Sequence, residues 1–466
     1  MVRKRVVHGE VAGRAVTTQD ALNRRVTTVY DAANQVIAIR NGLDLRTTTV
    51  HDLAGRTVAT VDPLNRRTTT IYDASGQVVA VRDPLNHRTT NVYNAAVRPV
   101  ATVNALGFRT TMVYDTAGQN VALVDANGHR TTFVYDKAGN RAVQVDPLNR
   151  RTTYAYDAAG QEVSKLDPRP VRVSYLYDAA SRPMGRRYTN DLPVTLVYNA
   201  AGERTLMRDS TGRYTFAYDN AGRLRSVVYP QGGRMTHGHD AAGRWIVTTD
   251  ADGGRVTFTY DAAGQKTVTR SAQGDRTTLT YDAAGRRTSK RVATGMRTSF
   301  VHDAANQVTS IVDRKSDGTL RESFDYVFDA AGNPTRVIEV TGDRVTWTYD
   351  AANQLIQERR SGTNAFDVTH VFDPVGNRLV KIVGGARTTF TFDSANQTKT
   401  SKASGGTTTY AFDAAGNQRL EVAPSLARTT TTWDDENRST LVRKSDGTRV
   451  TMTYNADNRR TRKDPS

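Results

Sequence analysis

The sequence predicts an all-β protein: a long antiparallel meander of about 42 short strands, one hairpin per 21-residue unit, coiled into a curved or spiral hollow shell that is incomplete. Three observations predict it. A ring side chain followed by Asp or Asn recurs at a fixed interval. Two turns of the same chemistry punctuate every interval. The runs between turns are six or seven residues rich in Thr, Val, Ile and Tyr, too short for helices and suited to strands.

The interval comes first, because internal repetition decides the architecture. The ring slots are Tyr30, His51, Tyr72, Tyr93, Tyr114, Tyr135, Tyr156, Tyr177 and Tyr198, which makes eight successive steps of 21 residues. The series continues at Tyr218, His239, Tyr260, Tyr281, His302, Phe328, Tyr349, Phe372, Phe392, Phe412, Trp433 and Tyr454, for 21 slots in all. His8 is a degenerate earlier slot. The predicted organisation is an N-terminal segment over 1–29, a repeat array over 30–455 and a short tail over 456–466.

The turns come next. Asp62-Pro63-Leu64-Asn65 and Asp73-Ala74-Ser75-Gly76 both read Asp, two residues suited to a type I turn, then Asn or Gly. The Asp side chain caps such a turn, and the fourth residue takes a left-handed conformation that Gly and Asn tolerate. Asp73 with Gly76, Asp157 with Gly160 and Asp261 with Gly264 are representative structural turns. The residue four after the ring is Gly or Asn in 19 of the 21 slots, with Val97 and Ser181 as exceptions. A flat sheet of so many strands would be roughly 200 Å wide. Open twisted sheets rarely exceed about ten strands, so the ribbon must curl.

Composition limits the function. With 64 basic and 47 acidic residues the net charge is +17, which permits anionic partners. There is no cysteine, so disulfides and cysteine metal sites are excluded. The basic start Met1 to His8 has no apolar stretch behind it, and no apolar run is long enough to span a bilayer. Nothing resembles a nucleophile elbow, a phosphate loop or a metalloprotease helix, so no catalytic residue, cofactor or enzyme activity is expected. The Asp column (Asp31, Asp52, Asp73, Asp115, Asp136) lacks the clustered oxygens of a calcium loop, and turn capping is expected instead. His237 and His239 share a strand face and could hold zinc, but no third ligand is evident; His239 reads as a replacement in the ring slot.

One pattern remains. The residue five before the ring is Arg in 17 of 21 slots. It forms a ladder through Arg25, Arg46, Arg67, Arg88, Arg109, Arg130, Arg151 and Arg172, resuming at Arg213, Arg234, Arg255, Arg276 and Arg297. Pro193, Ser323, Asp367 and Thr407 interrupt it. An odd offset puts these arginines on the face opposite the ring, if no bulge intervenes. The structural expectation is a column pairing with the turn carboxylates. The functional one is a surface facing polyanions, acidic glycan before nucleic acid, because stacking rings are missing from that face.

The units Tyr72-Asp73-Ala74-Ser75-Gly76-Gln77 and Tyr260-Asp261-Ala262-Ala263-Gly264-Gln265 resemble the YD repeats of the Rhs family, which occur in bacterial polymorphic toxins, wall-associated proteins, the C component of insecticidal toxin complexes and the teneurins. The resemblance covers Tyr30 to Asn455. It implies a β-ribbon spiralled into a hollow shell, a secreted or cell-surface setting, and a scaffold that encloses or displays another polypeptide, either an effector or a further shell segment. There is no core boundary of the DP-x-x-GRF type, and Phe372 to Asn377 is one more repeat turn. Self-cleavage and a particular cargo are therefore not implied. With eleven residues after Asn455, the sequence reads as a gene fragment or one piece of a split shell, with an exposed strand edge and a break in regularity at Asp313 to Ser323.

Overall fold

The computed structural model describes residues 5–7 and 15–466; His8 and the start of the chain at 1–4 lie outside them. The described residues form 44 strands and no helix. Strands pair antiparallel with their neighbours in sequence. In one unit the strand Arg46–His51 pairs with Thr57–Val61 through Thr48 to Val61, Thr49 to Thr60 and Val50 to Ala59. Thr57–Val61 then pairs with Arg67–Tyr72 through Ala59 to Thr69 and Val61 to Arg67. The same register recurs 21 residues on, at Thr69 to Arg82 and Ile71 to Ala80.

Each hairpin carries a register shift at its ring: after Val50 pairs with Ala59, His51 pairs with Thr57. The extra residue belongs to the strand after the ring. The ring strand itself alternates regularly, so Arg46 and His51 lie on opposite faces.

The alternation places a buried residue at the same position of successive units. Ala38, Ala59, Ala80, Ala101 and Ala122 are essentially fully buried, one per unit, each under the side chains of its two partner strands. Ala59 sits between Val50 and Thr69, and Val143 holds the equivalent buried place between Val134 and Thr153.

Backbone contacts divide the chain into two compact units. The first comprises Met1–Arg98, Thr102–Gly107 and His237–Val368; the second comprises Pro99–Ala101, Phe108–Thr236 and Thr369–Ser466. Inside each, two distant stretches of ribbon meet through their turns. In the first, Arg24 donates to Gln265 at 2.5 Å and Arg66 to Gln307 at 2.7 Å, both pairs 241 residues apart. Gly42 approaches Ala283 at the same separation, and a β-carbon on Gly42 would lie 2.1 Å from the Ala283 carbonyl oxygen. Only glycine fits there.

In the second unit Arg150 reaches Gln397 at 3.1 Å, Asn127 reaches Asp373 at 2.9 Å, and Arg204 grips Asp457 with two bonds of 2.7 Å. Arg186 and Tyr188 both bond Glu436, at 2.5 and 2.7 Å. Beside them Val194, Met207, Tyr214, Val227 and Ala456 make an apolar cluster, with Met207 wholly buried.

Turn geometry overrides residue preference at the exceptional slots. Val97 has φ 66° and Ser181 φ 61°, beside Gly76 at 84°, Gly160 at 78° and Gly264 at 84°. A β-branched residue resists that conformation, so Val97 holds strain of about 1–3 kcal/mol. It is 59% exposed and packs little in return. Val97→Asn should therefore raise stability by about 1 kcal/mol, while Gly264→Val should lower it by at least as much. Denaturant unfolding followed by circular dichroism checks the pair; Val97→Asn no more stable than the parent would contradict the turn assignment.

Candidate functional site

The turn carboxylates are held by bonds within their own turns, and Asp373 also accepts Asn127 from a distant stretch. In the Asp73 turn, Oδ1 accepts the backbone N–H groups of Ser75 and Gln77, both at 2.9 Å. Asp157 accepts those of Ala159 and Gln161 at 2.9 Å, and its Oδ2 takes Gln161 Nε2 at 3.0 Å. Asp261 accepts Gln265 N at 2.8 Å. Where Arg stands four residues after the Asp, its Nε completes the clamp: Arg24 on Asp20, Arg66 on Asp62 and Arg150 on Asp146, each at 2.6 Å. Arg56, Arg182, Arg244, Arg286 and Arg438 do the same in their own turns.

The clamped residue then reaches the next repeat. Arg244 Nη1 bonds the Asp261 carbonyl and its guanidinium lies 4.7 Å from the centre of the Tyr260 ring. Arg56 does likewise with Asp73 and Tyr72, and Arg438 with Asn455 and Tyr454. Gln265 does it with an amide, donating to Gly285 O at 2.8 Å. Where two ribbon stretches meet, a longer chain of bonds forms: Asp62 holds Arg66, Arg66 donates to Gln307, and Gln307 donates to Gly332 O.

The ring has a second duty. Tyr72, Tyr93, Tyr135, Tyr177 and Tyr260 each donate their hydroxyl to the carbonyl 15 residues earlier, at 2.8–3.1 Å. Thr57, the acceptor for Tyr72, lies beyond the last rung, Ala59 to Thr69, that its strand makes on that side. The hydroxyl supplies the missing donor. His51 does this with Nε2 to Val36 O and Trp433 with Nε1 to Gln418 O, both at 3.0 Å, so rings carrying a polar hydrogen substitute for one another.

The arginine ladder corrects the structural expectation. None of Arg25, Arg46, Arg67, Arg88, Arg109, Arg130, Arg151, Arg172, Arg213, Arg234, Arg255, Arg276 and Arg297 pairs with a carboxylate among the described residues, and all thirteen are exposed. The turn carboxylates belong to the residue next door: Arg24, Arg66 and Arg150 are clamped, whereas Arg25, Arg67 and Arg151 point away. The ladder lies on the face opposite the rings. Some of its members face another arginine across the sheet: Arg46 opposite Arg40, Arg88 opposite Arg82, Arg276 opposite Arg270 and Arg297 opposite both Arg291 and Arg314. Like charges placed so are destabilising.

His237 stacks on Trp245 with ring centres 4.6 Å apart, and its Nδ1 lies 3.2 Å from Thr248 Oγ1. His239 meets the edge of the same indole at 6.3 Å. Burial, with His239 close by, lowers the pKa of His237. Among the described residues no three His, Cys, Asp or Glu side chains gather as metal ligands.

With this geometry in hand, a model of the teneurin YD shell matches residues 14–210 and 244–359, and one of the RHS repeat matches 198–234. The first covers more than half of the chain, which therefore belongs to the teneurin YD-shell family. The fold is similar to crystal structures of TcdB2-TccC3-Cdc42 and of TcdB2-TccC3, each at TM-score 0.73 and 16% identity, covering 98% and 100% of this chain. It is also similar to a Photorhabdus luminescens Tc holotoxin pore, at TM-score 0.72 and 16% identity over 97% of this chain. The chain spans 29–31% of the length of those proteins. No curated protein matches it.

The clamps set an acid limit. The Arg223 side chain, with the Arg223 backbone N–H, holds Asp219 down to about 2 from 3.8. Asp52 and Asp240 are lowered for the same reason, by Arg56 and Arg244. A group whose folded pKa is depressed contributes stability above its unfolded value and loses it as pH falls through the folded one. The melting temperature should therefore hold from pH 7 to about 5 and fall between about 4 and 2 as the turns protonate together. A melting temperature unchanged down to pH 2 would show that the turn carboxylates carry little.

Proposed function

We propose that the protein is a non-enzymatic structural scaffold, a YD-repeat shell segment that encloses or displays another polypeptide outside the cell. The observation that carries this reading is the commitment of the repeat side chains. Turn carboxylates, clamped arginines, glutamines and ring hydroxyls are spent in bonds that tie one repeat to the next. Such relays make a wall and leave no reacting group poised over a substrate. Membership of the YD-shell family supports it, as does the fold shared with TcdB2-TccC3. No helix among the described residues could cross a membrane.

A wall of this kind should protect what it holds. The natural gene region should be expressed with the polypeptide that is continuous with this chain or encoded beside it, and the native assembly treated with a broad protease. The second polypeptide should survive under native conditions and be digested once the assembly is unfolded. Digestion at the rate of the free polypeptide would contradict the reading.

A further inference from the structure

In the first unit one turn sequence stands in two settings. Asp31-Ala32-Ala33-Asn34-Gln35 and Asp303-Ala304-Ala305-Asn306-Gln307 are identical. The later one meets another stretch of ribbon: Gln307 Oε1 accepts Arg66 Nη1, and Ala304 and Ala305 are partly covered. In the earlier one Ala32 and Ala33 are exposed. The next two ring turns of the earlier stretch are bare as well, with Leu53, Ala54, Ala74 and Ser75 all exposed. Leu53 is an apolar side chain with nothing over it. In the second unit, by contrast, the docked Asp373 turn has Pro374 and Val375 partly covered.

Docking follows a pairing rule. Gln265, Gln307 and Gln397 each take a bond from an arginine that ends an Asp-x-Leu-Asn-Arg turn, namely Arg24, Arg66 and Arg150. Asp20, Asp62 and Asp146 hold those guanidinium groups from four residues before. Between the first two lies the turn Asn41 to Leu45. It meets the turn that ends in Arg286, and it brings no arginine there. Arginine thus faces glutamine and is kept away from arginine, which rejects the wrong register through like charge.

The bare turns carry the same acceptor without its donor. Gln77 Oε1 in the first unit and Gln161 Oε1 in the second are shut off from water and accept no hydrogen bond among the described residues. Gln161 Nε2 donates to Asp157, which fixes the other end of that amide as the acceptor. A buried acceptor left unpaired costs stability that a donor would restore.

We propose that the bare ring turns, with Gln35 and Gln77 in the first unit and Gln161 in the second, are a docking row for a second YD-repeat chain, whose Asp-x-Leu-Asn-Arg turns donate arginine to these glutamines. A second copy of this chain is not that partner. Its Arg24, Arg66 and Arg150 already serve its own glutamines. Turns of the first unit that remain end in Gly254, Asp275, Met296 and Thr319, none of them a guanidinium. The inference concerns how the wall is joined, not what it holds, and stands without the scaffold reading.

The test gives the full chain the missing donors. Gly254 and Met296 are 42 residues apart, as are Arg24 and Arg66, and Gln35 and Gln77. Asp252→Leu, Gly254→Arg, Val292→Asp, Thr294→Leu and Met296→Arg convert two remaining turns to the donor pattern, with Gly in place of Asn. This variant, folded as judged by an unchanged circular dichroism spectrum, should bind the unmodified chain in sedimentation velocity, head to tail, whereas the unmodified chain should not bind itself. Hydrogen exchange should slow at residues 31–35 and 73–77 of the unmodified chain and stay unchanged at 444–448. Gln35→Ala with Gln77→Ala in the unmodified chain should weaken binding by about tenfold. Gln35→Glu with Gln77→Glu should keep it, because a carboxylate also accepts arginine. If the five-substitution chain does not fold, Val292→Asp, Thr294→Leu and Met296→Arg alone supply one donor turn and should give weaker binding at the same residues. A folded variant that does not bind, binding indifferent to the glutamine substitutions, or an unmodified chain that binds itself as tightly would each overturn the proposal.

Discussion

The structure depends on one interaction, the capture of backbone N–H groups by the side chain of the turn Asp. A meander of 44 strands must reverse direction between each strand and the next, and the reversals leave backbone donors with no strand partner. Asp157 answers with a single oxygen, which takes Ala159 N and Gln161 N. Its other oxygen is then free to orient the side chain that follows, and that side chain reaches the next turn. Local capping and repeat-to-repeat cohesion thus come from one carboxyl group. Ring hydroxyls add a second tie, 15 residues long, at the strand end where the bulge interrupts the ladder. These bonds account for the thin apolar content: 38% hydrophobic residues suffice because polar relays do much of the joining.

The two faces of the ribbon therefore differ in kind. On one, rings lie under arginines that are clamped by carboxylates and fixed to the next repeat. On the other, small buried residues such as Ala59 and Ala80 alternate with exposed arginines that bond to little. Repeat proteins distribute stability over nearest-neighbour interfaces. The first face and the turn rows belong to those interfaces, whereas the ladder does not, and its facing arginines oppose folding.

Much of the fold could be read from spacing, because turns impose strict backbone demands. Gly76 and Gly264 stand where φ is positive, and the alternation of Thr48 and Val50 with Thr49 and His51 fixes the faces. Val97 was a residue whose type argued against its conformation, yet its neighbours hold it in register. The ion pairing was misassigned by one residue. Arg67 occupies the regular slot, but its neighbour Arg66 stands four after Asp62 and takes the carboxylate; the Asp-to-Arg spacing, repeated at Asp20 and Arg24 and at Asp146 and Arg150, carried the signal. The contacts of Arg24 with Gln265 and of Gly42 with Ala283 were not legible. They join residues 241 apart and depend on how many repeats separate two stretches of ribbon, which no local pattern encodes. The division into two compact units has the same origin, and a sequence reading that saw one continuous array had no means of finding it.

The central claim is that turn carboxylates hold the array and ladder arginines do not. Equilibrium unfolding in denaturant of Asp157→Ala and Arg151→Gln, two substitutions in adjacent elements of one repeat, tests it most directly. Asp157→Ala should cost roughly 1–2 kcal/mol, because two backbone donors and one amide lose their acceptor. Arg151→Gln should stay within about 0.5 kcal/mol of the parent, as expected for an exposed side chain with no ion pair. A loss in Arg151→Gln equal to that in Asp157→Ala would make the ladder a structural column and contradict the account.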